Sequence, residues 1–245
     1  MAGVTILPMP ADTTLGGSAR EFPSTIWSSV LSLRDPTDPS FAATLNALID
    51  RYWKPVYHYV RALRRVDVED AKDLTQQFFA RLLERRDLER LSPDRGTLRG
   101  FLKTALKNFL AGADRSRKAR PARAFAFDEA ERDWADAARA APELTPEQAF
   151  DREWACGVVM EAVARLKARL EADGKAVHFE IFRDRSDGAA SYDELAARYR
   201  MSPKDVENRL TFARQAIAKI LRELLAETME PGEDVERELR YLLSR

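Results

Sequence analysis

One cysteine, Cys156, and two histidines, His58 and His178, are all that the 245 residues hold of those types. A lone thiol closes no disulfide within the chain, and so small a set of soft and imidazole ligands makes no metal cluster. Cys156 lies in the helical run EWACGVVM and is expected to be a small core residue. The ten glycines include no phosphate-cradling loop, and no nucleophile stands in a pattern with a base and an orienting acid. No catalytic activity, cofactor or metal is therefore expected. No apolar run is long enough to span a bilayer, so a membrane span is not expected. Residues 1–24 lack both a basic cluster and an apolar core, which reads as a disordered tail and not a leader, and a cytoplasmic location follows. Charge of either sign is not in excess: forty Lys and Arg balance forty Asp and Glu. Net charge consequently says nothing about nucleic acid, and only its distribution can.

No strand pattern appears, whereas helical periodicity recurs throughout, so the fold class is all-α: two small helical domains joined by a flexible linker. The first domain spans 25–123. Phe41 to Arg65 places Leu45, Leu48, Ile49, Tyr52, Trp53, Val56, Val60 and Leu63 at helical spacing, with Pro55 expected to kink or break it. Val68 to Glu84 forms the next helix, its stripe centred on Ala71, Leu74, Phe78 and Leu82. After the loop LSPDRGT, the segment LRGFLKTALKNFLAGA resumes as helix with Phe101, Leu102, Ala105, Leu106 and Phe109 inward, leaving Lys103 and Lys107 outside the stripe.

Between Arg99 and Arg123 the chain holds eight Lys and Arg against Asp114 alone, a local basic block. An acidic, alanine-rich stretch follows, punctuated by Pro142 and Pro146, and residues 124–146 read as a linker with one weak helix around Asp128 to Ala140.

The second domain, 147–228, contains the most specific local pattern. In SYDELAARYRMSPKDVENRLTFARQAIAKILR two amphipathic helices are separated by a turn too short to be a linker, the grammar of a helix-turn-helix. Ser191 is placed to cap the first helix, whose face carries Tyr192, Leu195, Ala196 and Tyr199. Met201 plugs the turn, Ser202 caps the second helix and Pro203 occupies its first position. Val206, Leu210, Ala213, Ile217, Ile220 and Leu224 make the buried stripe, leaving Lys204, Asn208, Arg209, Thr211 and Arg214 on other faces, side chains suited to phosphates and base edges. Any amphipathic hairpin in a charged protein shows a wet face with Lys and Arg, so this segment does not stand alone. The extension 229–245 can form a short amphipathic helix through Val235, Leu239, Leu242 and Leu243, either packing back on the domain or docking a regulator.

Over residues 41–226 the chain resembles the extracytoplasmic-function sigma factors of bacterial RNA polymerase. RYWKPVYHYVRAL resembles that family's opening helix of the promoter-melting domain, DAKDLTQQFFARLL its polymerase-clamp helix and GFLKTALKNFL its proximal-promoter helix. SYDELAARYRMSPKDVENRLTFAR is similar to its upstream-promoter helix-turn-helix. The resemblance implies core RNA polymerase and promoter DNA as partners. It assigns Lys204, Asn208, Arg209, Thr211 and Arg214 to the upstream element, and Arg95, Thr97, Arg99, Lys103, Lys107 and Asn108 to the proximal one. Asp70, Asp73, Gln76 and Gln77 are assigned to the polymerase clamp.

The chain departs from the family where two expected carboxylates of the clamp helix have become Lys72 and Gln77, and where Glu207 stands at a recognition position that is often Lys. Each lost clamp pair weakens attraction by about 1 kcal/mol. Thr75 lies in this depleted stretch and resembles the phosphosite of a branch switched by serine/threonine kinases. A phosphate would add about −1.5 to −2 charge there. Thr75 also falls close to the apolar stripe, where it would be a packing residue. Two rival readings share parts of the pattern: a helix-turn-helix regulator acting without polymerase, and an all-α interaction adaptor.

Overall fold

The computed structural model describes residues 32–84, 88, 97–116, 144–188, 190–228 and 234–243. Eight helices and no strand are found among them: α1 (Phe41–Arg64), α2 (Val68–Glu84), α3 (Leu98–Ser116), α4 (Pro146–Ala172), α5 (Ala176–Gly188), α6 (Tyr192–Tyr199), α7 (Pro203–Thr228) and α8 (Val235–Leu243). No helix is long and apolar enough to cross a membrane. The expected tail 1–24, the loop residue Arg95 and nearly all of the linker 124–146 lie outside the described residues.

These residues fall into two compact units, one drawn from 32–157 and 226–228, the other from 158–225 and 234–243. The division comes after Gly157 and not at residue 147, as the linker's composition had suggested. Its cause is apolar: Ala149, Phe150, Trp154 and Ala155 are buried within the first unit.

In that unit α1 runs through Pro55 unbroken, correcting the expected break. A proline removes one helical donor, but Leu48, Tyr52, Val56 and Val60 are buried on both sides of it and hold the helix together. The chain leaves α1 through Arg65 in the left-handed region, φ 50°, its N–H returning to the Arg61 carbonyl. The Asp67 carboxylate then accepts the N–H of Asp70 and starts α2. Aromatic rings close the core: Trp53 stacks on Phe79, Phe78 meets Phe109 edge-on, and Phe150 of α4 lies against Tyr52 and Tyr59.

The second unit begins with the four-residue repeat Val158, Ala162, Leu166 and Leu170, all buried along α4. Gly174, at φ 69°, makes the left-handed turn into α5, a conformation that costs a side chain steric energy. Phe179, Ile181 and Phe182 of α5 add to the core, with Leu195 and Ala196 of α6 and Val206, Leu210 and Ala213 of α7. Leu239 and Leu242 of α8 are buried as well, and Arg222 of α7 binds Glu236 of α8 at 2.5 Å. Of the two readings of the extension, packing back on the domain is the one these contacts describe.

Candidate nucleic-acid interface

The α6–α7 corner is built by caps at both ends of a three-residue turn. The Ser191 hydroxyl accepts the Glu194 N–H at 3.2 Å while the Glu194 carboxylate accepts the Ser191 N–H at 2.7 Å, a reciprocal capping box. Arg200 ends α6 in the left-handed region, φ 54°, and the Met201 N–H returns to the Ala196 carbonyl at 3.0 Å. Ser202 repeats the device. Its hydroxyl accepts the Asp205 N–H at 3.1 Å and donates to the Asp205 carboxylate at 2.7 Å. The Ser202 hydroxyl and then its N–H, both donating to the Asp205 carboxylate, hold it below the usual carboxylate range.

A second polar anchor was not foreseen from the sequence. Asp184 of α5 accepts from Arg198 at 2.7 Å and from the Tyr199 hydroxyl at 2.8 Å, tying the end of α6 to α5. Burial pushes the Asp184 carboxyl up, but the bonds from Arg198, Tyr199 and Arg183 outweigh it and hold the group below its ordinary value. The only sequence trace of this anchor is a charged residue beside the buried Phe182, and nothing in its spacing points to Arg198.

With the corner fixed, α7 shows its first turns outward. Lys204, Asn208, Thr211 and Arg214 are exposed. At about 100° per residue Lys204, Asn208 and Thr211 share one arc opposite Val206, Leu210 and Ala213, and Arg214 lies on its flank, about 40° from Leu210. Lys204 pairs with Glu207 at 2.7 Å, one turn along the same helix. Arg209 sits apart at the edge of the buried stripe, half-buried, donating to the Asp205 carbonyl at 3.3 Å. On that side the Lys175 ammonium lies 4.5 Å from the centre of the exposed Phe212 ring, and His178 meets the same ring edge-on. Burial, then the charges of Arg209 and Lys175, lower the basicity of His178.

The residues assigned to the proximal element behave differently. Thr97 caps α3, accepting the Gly100 N–H at 3.1 Å, and Lys107 and Asn108 are exposed. Lys103, expected on an open face, donates to both oxygens of Asp151 at 2.9 and 3.2 Å. Arg99 stands 3.7 Å from the same carboxylate, with its guanidinium 4.3 Å from the centre of the Trp154 ring. Asp151 and Trp154 are 6% and 4% exposed. Sequence reasoning missed both, although Phe150, Asp151 and Trp154 recur at helical spacing in FDREW as a mixed apolar and acidic stripe.

In the clamp-type helix α2, Asp70, Asp73 and Gln76 are half-buried and Gln77 is exposed. Burial, then the neighbouring Asp70 and Glu69, raise the Asp73 carboxyl above its usual range, the mark of a local acidic patch. Lys72, which the sequence placed among these carboxylates as an opposing charge, is 7% exposed and reaches back 3.5 Å to Glu69. Of the two readings of Thr75, phosphosite or packing residue, its surroundings fit packing. Thr75 is fully buried, its hydroxyl donating to the Ala71 carbonyl at 2.8 Å, so the stripe centres on Thr75 and leaves Leu74 half-buried. A doubly charged phosphate has no place there while α2 keeps its packing. Cys156, expected in the core, is exposed, because Ala155 and Val158 take the inward positions on α4. Compared with known protein families, curated proteins and solved structures, the chain matches none.

Proposed function

We propose that this chain is a sigma factor of the extracytoplasmic-function type, which binds core RNA polymerase in the cytoplasm, directs promoter recognition and melting, and does no chemistry itself. The observation that carries the reading is the doubly capped α6–α7 corner with Lys204, Asn208 and Thr211 on one exposed arc of the second helix and Arg214 on its flank. A recognition helix entering a major groove needs this: a rigid approach angle, and a polar arc free of core duties. Arg209 and Arg214 suit guanine edges and Asn208 an adenine edge. The acidic patch of Asp70 and Asp73 suits a basic surface on the polymerase clamp. No phosphate at Thr75 is required, although Lys72 pairs with the exposed Glu69 at 3.5 Å and offsets part of the charge of that patch.

Two measurements on the full chain test the reading. Retention of core polymerase in a pull-down distinguishes a sigma factor from a free-standing regulator and from an adaptor. Replacing Arg214 or Arg209 with Ala should then weaken promoter binding by about 1–3 kcal/mol and remove upstream footprint protection. Absence of polymerase retention overturns the sigma reading, and unchanged upstream protection overturns the role of α7.

A further inference from the structure

Building on the functional reading above, which gives Arg99 and Lys103 to the separated strand of the proximal promoter element, we propose that Asp151 and Trp154 occupy that surface as an internal substitute for a nucleotide. The chain as described is therefore closed at this surface and opens when the first turns of α4 lift away.

The substitution is chemical in detail. A nucleotide offers a phosphate to cations and a flat aromatic base to a stacking partner, and proteins that hold single strands answer with those two contacts. Here the Asp151 carboxylate stands where a phosphate would, on the Lys103 ammonium at 2.9 Å and near the Arg99 guanidinium at 3.7 Å. The Trp154 indole stands where a base would, with its ring centre 4.3 Å from Arg99 Cζ. Phe150 extends the apolar floor, its ring centre 5.9 Å from Lys103 Nζ. One carboxylate serves both cations and is nearly buried in doing so. Burying charges is a costly way to fasten one helix to another when apolar residues of similar volume serve as well. The cost is accounted for if the cations have a second partner. An entry point is also present. Lys107, one turn further along α3, and Asn108 beside it remain exposed, so a strand can engage there before it displaces Asp151.

The test uses the full chain and a short fluorescent oligothymidylate, with a duplex of the same length as control. Asp151→Asn should bind the single strand about tenfold more tightly than the wild type, with a steeper salt dependence, and Trp154→Leu should move affinity the same way. Adding Arg99→Gln and Lys103→Gln to Asp151→Asn should return affinity to the wild-type level. No gain in a variant whose circular dichroism is intact overturns the proposal, as does an equal gain for the duplex. Hydrogen exchange on the wild-type chain decides the matter if the variants unfold. Oligothymidylate should protect 98–108 and speed exchange in 146–157; unchanged exchange in 146–157, or no effect of the oligonucleotide at all, counts against it. A chain that retains core polymerase but gains no single-strand affinity keeps the functional reading and loses this inference. One that gains affinity without retaining polymerase does the reverse.

Discussion

The two units hold similar sequence signals and treat them in opposite ways. In α3 the basic residues Arg99 and Lys103, four apart, are turned against the carboxylate and indole of α4. In α7 Lys204, Asn208 and Thr211, at the same kind of spacing, remain exposed. The hydroxyls diverge too: Thr75 is sealed in the first unit, while Ser191 and Ser202 serve as exposed caps in the second. Arg99 and Lys103 of the first unit are thus committed to holding helices together, while Lys107 and Asn108 stay exposed. The polar groups of α6 and α7 shape a corner and leave the outer arc exposed, with Lys204 paired only along its own helix to Glu207. Helical spacing says which residues share a face, and only the neighbouring element says whether that face meets protein or water.

The hardest break in this contrast is a charge placed at Thr75. Thr75→Asp should cost about 4 kcal/mol or more in denaturant unfolding, since it buries a carboxylate among Ala71, Phe78 and Phe79. Thr75→Val keeps the shape and loses one internal hydrogen bond, so it should cost about 1 kcal/mol. A Thr75→Asp chain as stable as the wild type would mean that this face is open after all.

Removing the shared carboxylate comes next. Asp151→Ala leaves Arg99 and Lys103 half-buried beside Trp154 and should cost about 3 kcal/mol, whereas Glu207→Ala, which removes the exposed partner of Lys204, should stay within about 0.5 kcal/mol. Equal effects in the two variants would erase the contrast.

His58 sharpens it through pH. Burial, then the charges of Arg61, Lys54 and Arg152, press its basicity down to about 3 from 6.5. The unfolded chain therefore takes up a proton near pH 6.5 that the folded chain refuses, and the stability His58 contributes is present above that value and lost as pH falls toward 3. Between pH 7 and pH 5 the loss should be about 2 kcal/mol, and His58→Gln should remove it. Glu153, 3.8 Å away and raised by burial, works in the opposite sense, so the comparison of variant with wild type across pH is the informative measurement.

A smaller effect than that of His58 belongs to the corner. Ser191→Ala breaks the capping box and should cost about 1 kcal/mol, read as a lower melting temperature. Hydrogen exchange should speed up over 191–203 while exchange over 146–157 stays constant.

Much of this was readable from residues alone. The periodicity from Val68 to Glu84 defined α2 to its ends, and Ser191, Ser202 and Pro203 marked the caps that form, because capping and helical phase depend on residues three and four apart. The mixed stripe of Phe150, Asp151 and Trp154 was equally local, yet its meaning was not: a carboxylate at helical spacing looks the same whether it faces water or Lys103. Which side of α2 would be sealed, Leu74 or Thr75, and whether α1 would break at Pro55, were likewise decided by what packed against them. The amino-acid sequence by itself determined the all-helical class, the bounds of α2, and the caps and outer arc of the α6–α7 corner, all set by short-range chemistry. Tertiary structure alone decided that Thr75 is buried, that Asp184 anchors Arg198, and that Asp151 and Trp154 cover Arg99 and Lys103, since each depends on contacts between residues distant in the chain, which no local pattern encodes.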